Sequence, residues 1–462
     1  MFVHHKNNKY WNALLFIGVI AFLFTIFFNR LSEQVSILFL LPFSYICFLY
    51  ILKPFFFTER SLAFSIIGLI ATLRYIGIPI LFALDNQYTG KLIAGTNFND
   101  AVLLMVYELL AVSIALRFFF TKYYNKQVIT GDKTIKANKI HIITIALILF
   151  WIFLLMKNPS LKNSLWNFSL LDKDLFISKS TDSGIVKVFF YIGKLILFCT
   201  IITLSNKHIF NKYLKFILVI LACTFYISSS WTAGVNVSRW SLMIAVLISL
   251  NLLLYVYPKK KKLIYSFGIG TLVAVVLLGS VMKLMSFGRN DASISDATDY
   301  YLNSEYFDEY FSGIGPVANG IRVCDLYDIY KKPEQFIVDC FNSFPYAMKI
   351  ARLENAPITT EYYHRATMHY DLIMPNVTIS MFQFGWLLSF IYPVVLAILA
   401  MWFDRQMQLS FSITKKMFLL IPTFWCSLFM AVNVNIVNNS IWSAVIGILF
   451  LRLEEKIIRI KK

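Results

Sequence analysis

Apolar runs of about twenty residues recur along this 462-residue chain, separated by short charged segments. This spacing constrains the fold more than any motif does. An α-helix rises 1.5 Å per residue, so one run is long enough to cross a hydrocarbon layer of about 30 Å. The chain is 58% hydrophobic and only 15% charged, whereas a soluble protein of this length needs charge to cover its surface. An assembly of small soluble domains does not account for apolar stretches such as 140–156, 263–282 and 441–451.

The runs predict an all-α polytopic membrane protein of about twelve helices. The expected spans lie near 11–29, 34–52, 61–84, 99–120, 140–156, 184–205, 213–229, 238–257, 263–285, 373–402, 416–432 and 436–451. Residues 1–285 then hold nine spans and a modest loop at 157–183. Residues 286–372 form a much larger loop, and 373–462 hold three spans and a tail. The first run is bulky and Phe-rich and is followed by no small-residue cleavage site, so it reads as a retained span.

The formal net charge of +18 is not spread evenly. Lys53 and Arg60, then Lys122 to Lys139, Lys207 and Lys212, Lys259 to Lys262, and Arg405 to Lys416 fall on alternate loops, and the tail adds Arg452 to Lys462. By the positive-inside rule these segments are cytoplasmic, with both termini, and the large loop is outside a bacterial cytoplasmic membrane. No basic stretch is interleaved with aromatics in a soluble segment, so nucleic acid is not an expected partner. No Walker motif and no zinc-like Cys/His spacing occurs. Cys324 and Cys340 share the outer loop, where either a disulfide or two thiols fits the spacing. Asp172-Lys173-Asp174 has the form of a D-x-D metal motif, a spacing common by chance in an acidic loop. The expected chemistry needs neither metal nor cofactor.

Ionisable residues inside spans invite a functional reading. Arg74 and Glu108 each sit roughly 14 Å from the outer ends of two consecutive antiparallel spans, so they can meet. Two readings stay open: a structural ion pair, or an arginine that binds an anionic headgroup. Lys194 lies near the middle of the sixth span, too deep to snorkel, and is expected to line a cavity. Lys187 lies nearer the outer end. Arg239 opens the eighth span after the small, polar turn Ser228 to Ser238. Arg289, Arg322 and Arg365 are further outer arginines. In the outer loop, Phe336, Ile337, Cys340, Phe341, Phe344, Met348 and Ala351 fit one helical face, with Pro345 as a kink. Such a helix suits the membrane interface or packing on other outer elements.

Several short segments combine into a familiar pattern: Leu73-Arg74-Tyr75-Ile76-Gly77-Ile78-Pro79, Met105-Val106-Tyr107-Glu108-Leu109, Ser229 to Trp231 with Ser238-Arg239-Trp240, Ser286-Phe287-Gly288-Arg289-Asn290, Glu309 to Gly313 with Gly315-Pro316, and Phe384-Gly385-Trp386. Together with the layout they resemble the Wzy-type oligosaccharide repeat-unit polymerases of O-antigen, capsule and exopolysaccharide synthesis, nearest to the Gram-positive branch. Where that pattern has an aspartate beside Phe-Gly, this chain has Gln383.

The resemblance implies a GT-C-like architecture and a glycosyltransferase. A growing glycan on undecaprenyl pyrophosphate passes to the next lipid-linked repeat unit, and the polyprenyl pyrophosphate leaves. A flippase and a chain-length regulator of the same pathway are the implied partners. Preorganised arginines suit the charge that grows on the leaving group. Arg239 and Arg289 are the implied catalytic cations, with Arg74, Glu108, Lys194, Arg322 and Arg365 as substrate-binding candidates. His364 and His369 are candidate bases for the acceptor hydroxyl. An O-antigen-ligase-like transferase and a polysaccharide or lipid transporter are the rival readings.

Overall fold

A computed structural model describes the chain except residues 1, 32, 57–60, 86–87, 89, 125–141, 158–183, 206–210, 230–231, 234–235, 238, 287–302, 328–332, 343, 345–355, 370–371, 411 and 461–462. The regular secondary structure of the described residues is helical apart from one short ladder, in which Thr232 pairs with Val237 and Ala233 with Asn236. Five helices are long and apolar enough to cross a membrane: Lys9–Phe28, Leu62–Leu84, Phe98–Lys122, Trp386–Leu409 and Val434–Leu453. Ser241–Leu254 and Pro258–Thr271 meet at 114° and pass the same test together. Phe16, Ile20, Leu23, Phe27 and Phe28 all point outward from the first helix. Water does not tolerate such a surface, whereas lipid requires it, and the long apolar helices mark a membrane-embedded protein.

The chain divides into two compact units. The first comprises Met1–Thr130, Tyr301–Arg405 and Pro422–Ser440. The second comprises Gly131–Tyr300, Gln406–Ile421 and Ile441–Lys462.

In the first unit, local chemistry sets several helix ends. Ser61 caps helix Leu62–Thr72, its Oγ accepting from Phe64 N at 3.1 Å while donating to Asp404 Oδ2 at 2.5 Å. Asn97 caps helix Phe98–Phe119 through Asn99 N. The third expected span, 61–84, is one helix, Leu62–Leu84, with a π-helical turn at Leu73–Gly77 inside it. The second expected span starts late: 36–39 form turns, and regular helix covers only Leu40–Ile51.

The continuous span expected over 373–402 is divided. Helix Asn376–Phe384 ends at Gly385, whose φ of +81° no helix accommodates, and Ile391–Leu409 resumes after a 3₁₀ turn at Trp386–Leu388. The first piece is buried all round and carries Thr378, Ser380 and Gln383. The eleventh expected span, 416–432, ends its helix early, at Ser427, and turns at 428–432 lead into Val434–Ile460.

The described part of the large loop is folded rather than extended. It forms helices Ser304–Tyr310, Ile314–Leu326, Pro333–Phe341 and Thr359–Thr367. Ile314–Leu326 is almost wholly buried, against Phe98–Phe119 on one side and Asn376–Phe384 on the other. Small residues make this possible: a Cβ at Gly320 would overlap the Thr378 side chain.

The second unit holds helices Ile142–Lys157, Gly184–Ser205, Lys212–Ser228, Arg239–Val256 and Lys261–Ser286, close to the expected runs. Trp151, Leu155 and Phe190 form a small core there, and Trp151 Nε1 donates to Phe190 O at 2.9 Å.

Candidate functional site

The expected meeting of Arg74 and Glu108 occurs. Arg74 stands on the π-helical turn, whose extra residue per turn re-aims its side chain toward helix Phe98–Phe119. Its Nη1 donates to Glu108 Oε2 at 2.7 Å, and both side chains are buried. Tyr75 OH donates to Met105 O at 2.9 Å and lies 3.4 Å from the same carboxylate oxygen. Arg74 Nε and Nη2 have no partner among the described residues. These two nitrogens share one edge of the planar guanidinium, the edge that grips an oxyanion with two parallel hydrogen bonds.

Helices Ser304–Tyr310 and Ile314–Leu326 close over this turn. Phe307 packs against Gly77, and a Cβ at Gly313 would overlap both Ile78 and Asp308. Asp308 holds the pair together. Its Oδ1 accepts from Ile314 N at 2.7 Å, and its Oδ2 accepts from Gly315 N at 2.8 Å and Tyr88 OH at 3.1 Å. The carboxylate thus takes up amides at the start of the buried helix, where the helix dipole favours negative charge. Burial is the larger influence and pushes the Asp308 carboxyl up to about 7; the three donors pull the other way. The charge of Asp308 also acts on Arg74.

Arg322 has a local task here. Its Nε donates to Ala94 O at 3.1 Å, and its guanidinium lies against Gly95. Asn319 adds two bonds to the same segment, accepting from Ile93 N and donating to Lys91 O. Residues 91–95 and helix Ile314–Leu326 are therefore tied side by side.

A second buried polar group centres on Asp339. Its Oδ1 accepts from Thr359 N at 2.9 Å, and its Oδ2 accepts from Gln383 Nε2 at 2.5 Å. Tyr392 OH donates to Gln383 Oε1 at 2.8 Å, and Asn438 Nδ2 donates to Asp339 O at 3.0 Å. Burial raises the Asp339 carboxyl to about 6. The group fixes the start of helix Thr359–Thr367, which carries His364 and Arg365. His364 Nε2 lies 2.9 Å from Leu372 O; a carbonyl only accepts, so this nitrogen carries a proton. Arg365 is exposed and lies 3.7 Å from Glu361 one turn back. His369 follows the left-handed Met368 and is half-buried.

Lys194 belongs to the second unit. Its Nζ donates to Ser229 O at 3.0 Å, at the C-terminal end of helix Lys212–Ser228, where a cation is favoured. The rings of Tyr191 and Tyr226 flank it at 5.4 and 5.3 Å. Arg239 is the first residue of helix Arg239–Val256, directly after the short ladder. The side chains of Arg239 and Lys187 lie outside the described residues, as do Arg289, the Asp172-Lys173-Asp174 segment, Pro345, Met348 and Ala351. Cys324 and Cys340 are both free thiols. Among the described residues no three His, Cys, Asp or Glu side chains converge in a way that holds a metal.

Sequence reasoning singled out neither Asp308 nor Asp339, because an acid in a polar loop is ordinary until its burial is known. The run from Ser312 to Pro316, with two glycines just after Asp308, was the available signal. No family model, curated protein or solved structure matches this chain.

Proposed function

We propose that this protein is an oligosaccharide repeat-unit polymerase at the outer face of the bacterial cytoplasmic membrane, with about twelve spans, a GT-C-like architecture and both termini in the cytoplasm. The bond between the growing glycan and its polyprenyl diphosphate breaks, a glycosidic bond forms to a hydroxyl of the incoming lipid-linked repeat unit, and the hydroxyl proton passes to a base. The observation that carries this reading is the Nε–Nη2 edge of Arg74, which has no partner among the described residues. It is a preformed fork for diphosphate oxygens, anchored by Glu108 on its other side. Helices Ser304–Tyr310 and Ile314–Leu326 form the cap that admits or excludes the lipid-linked substrate. A donor of this kind, in a site that excludes water, stabilises leaving-group charge far better than one in solution. Arg239 and Arg289 remain the proposed catalytic cations, His364 and His369 the candidate bases, and Arg322, Arg365 and Lys194 act in binding or in shaping the site.

The test supplies purified protein in proteoliposomes with a synthetic polyprenyl-diphosphate-linked repeat unit. A ladder of repeats supports the polymerase. One transfer to a foreign acceptor, with no ladder, points to a ligase-like enzyme instead.

A second reading, a glycolipid transporter, is favoured by the helix break at Gly385 within the run 373–402. Broken helices are common in transporters. Movement of intact lipid-linked repeat across the bilayer without bond formation identifies that activity.

A further inference from the structure

Helix Pro333–Phe341 is built inside out. Its buried side carries Gln335 and Asp339 beside Val338. Gln335 Nε2 donates to Pro357 O at 2.6 Å, and Asp339 accepts from Thr359 N and Gln383 Nε2. Its outward arc carries Phe336, Ile337 and Phe341, which are 37%, 47% and 39% exposed, with the exposed Glu334 beside them in the first turn. A helix against water shows the opposite pattern, polar outside and apolar within.

The outward arc is not isolated. The Phe336 ring packs on Phe384 at 5.8 Å and on Tyr392 at 5.9 Å. Tyr392 belongs to the apolar helix Trp386–Leu409, whose first turn shows Trp386, Leu387 and Leu388, with Leu387 78% exposed. The Phe336 ring thus ties the outward arc to a helix suited to the bilayer. Tryptophan at the start of such a helix suits the headgroup boundary.

We infer that helix Pro333–Phe341 lies in the membrane interface, with Phe336, Ile337 and Phe341 among the upper acyl chains and Asp339 turned inward to the polar group at Gln383. The occupant of this face is the bilayer itself, because Phe336 packs on Tyr392 of a helix long and apolar enough to cross a membrane, and that helix shows Trp386 and Leu387 at its start. The consequence is mechanical: a lipid that shifts this helix acts on Asp339, and through it on the start of helix Thr359–Thr367. The inference requires only that the protein is membrane-embedded, and it stands apart from the catalytic reading.

The test places a photoreactive leucine analogue at 337, at 341 and, as the control on the polar boundary, at 342. Each protein is reconstituted in vesicles of phosphatidylglycerol and phosphatidylethanolamine, illuminated and analysed by mass spectrometry. Phospholipid adducts at 337 and 341, with none at 342, are expected. Water addition alone at 337 and 341 overturns the inference. A crosslink between two copies of the chain overturns it equally, assigning the face to self-association.

Discussion

Arg74 Nη1 lies 2.7 Å from Glu108 Oε2, and both side chains are buried. Removing one partner of such a pair leaves the other charge buried and uncompensated. Glu108→Ala is therefore expected to destabilise the protein by about 3–5 kcal/mol. Replacing both residues, as Arg74→Met with Glu108→Leu, removes the uncompensated charge and recovers most of that loss. Thermal unfolding of the detergent-solubilised proteins measures both. A double variant as unstable as Glu108→Ala refutes the argument.

Asp308 gives the protein a pH dependence outside the spans. Its carboxyl rises from an ordinary 3.8 to about 7 because burial disfavours the charged form. The folded state therefore binds the proton more tightly than the unfolded chain does. The stabilising contribution is complete below about pH 4 and is lost as pH rises through about 7. Asp308→Asn abolishes this part of the slope. Melting temperatures between pH 4 and pH 8 are expected to fall more steeply for the parent protein than for the variant; parallel curves contradict the assignment.

Gly385 isolates a backbone effect. Its φ of +81° and ψ of 176° fall in a region open essentially to glycine alone, and a Cβ there meets nothing within 4 Å. Gly385→Ala is expected to cost about 1–3 kcal/mol through strain alone. Gly68→Ala, also free of neighbours but within helix Leu62–Thr72, is the control and is expected to be neutral or mildly stabilising. Unfolding in denaturant compares the two, and equal stability of both variants with the parent rules out the strain.

These outcomes separate what is local from what is tertiary. Apolar runs such as 184–205 and 238–257 became helices Gly184–Ser205 and Arg239–Val256 because length and hydropathy are local properties. The meeting of Arg74 with Glu108 was legible from depth arithmetic on two adjacent antiparallel helices. The division of 373–402 was not, because hydropathy runs straight through Phe384-Gly385-Trp386 while the φ of Gly385 does not. Burial of Ile314–Leu326 was also hidden, since its Gly, Asn and Arg content reads as a loop until Thr378 and Asp308 fill the spaces beside Gly320 and Gly313. The polar side of Pro333–Phe341 faces inward because Thr359 N and Gln383 await it, and nothing in nine residues reveals such distant partners. For Lys194, depth was legible but its partner Ser229 O was not.

The most direct test of the account compares the parent protein with Arg74→Lys in the reconstituted polymerisation assay. Lysine keeps a positive charge beside Glu108 but has no Nε–Nη2 fork. The melting temperature should stay close to the parent's, while the rate of chain growth and the matching release of polyprenyl diphosphate fall by about 100-fold or more. No ladder from the parent protein, or a parental rate from the folded lysine variant, contradicts the claim that Arg74 grips the departing diphosphate.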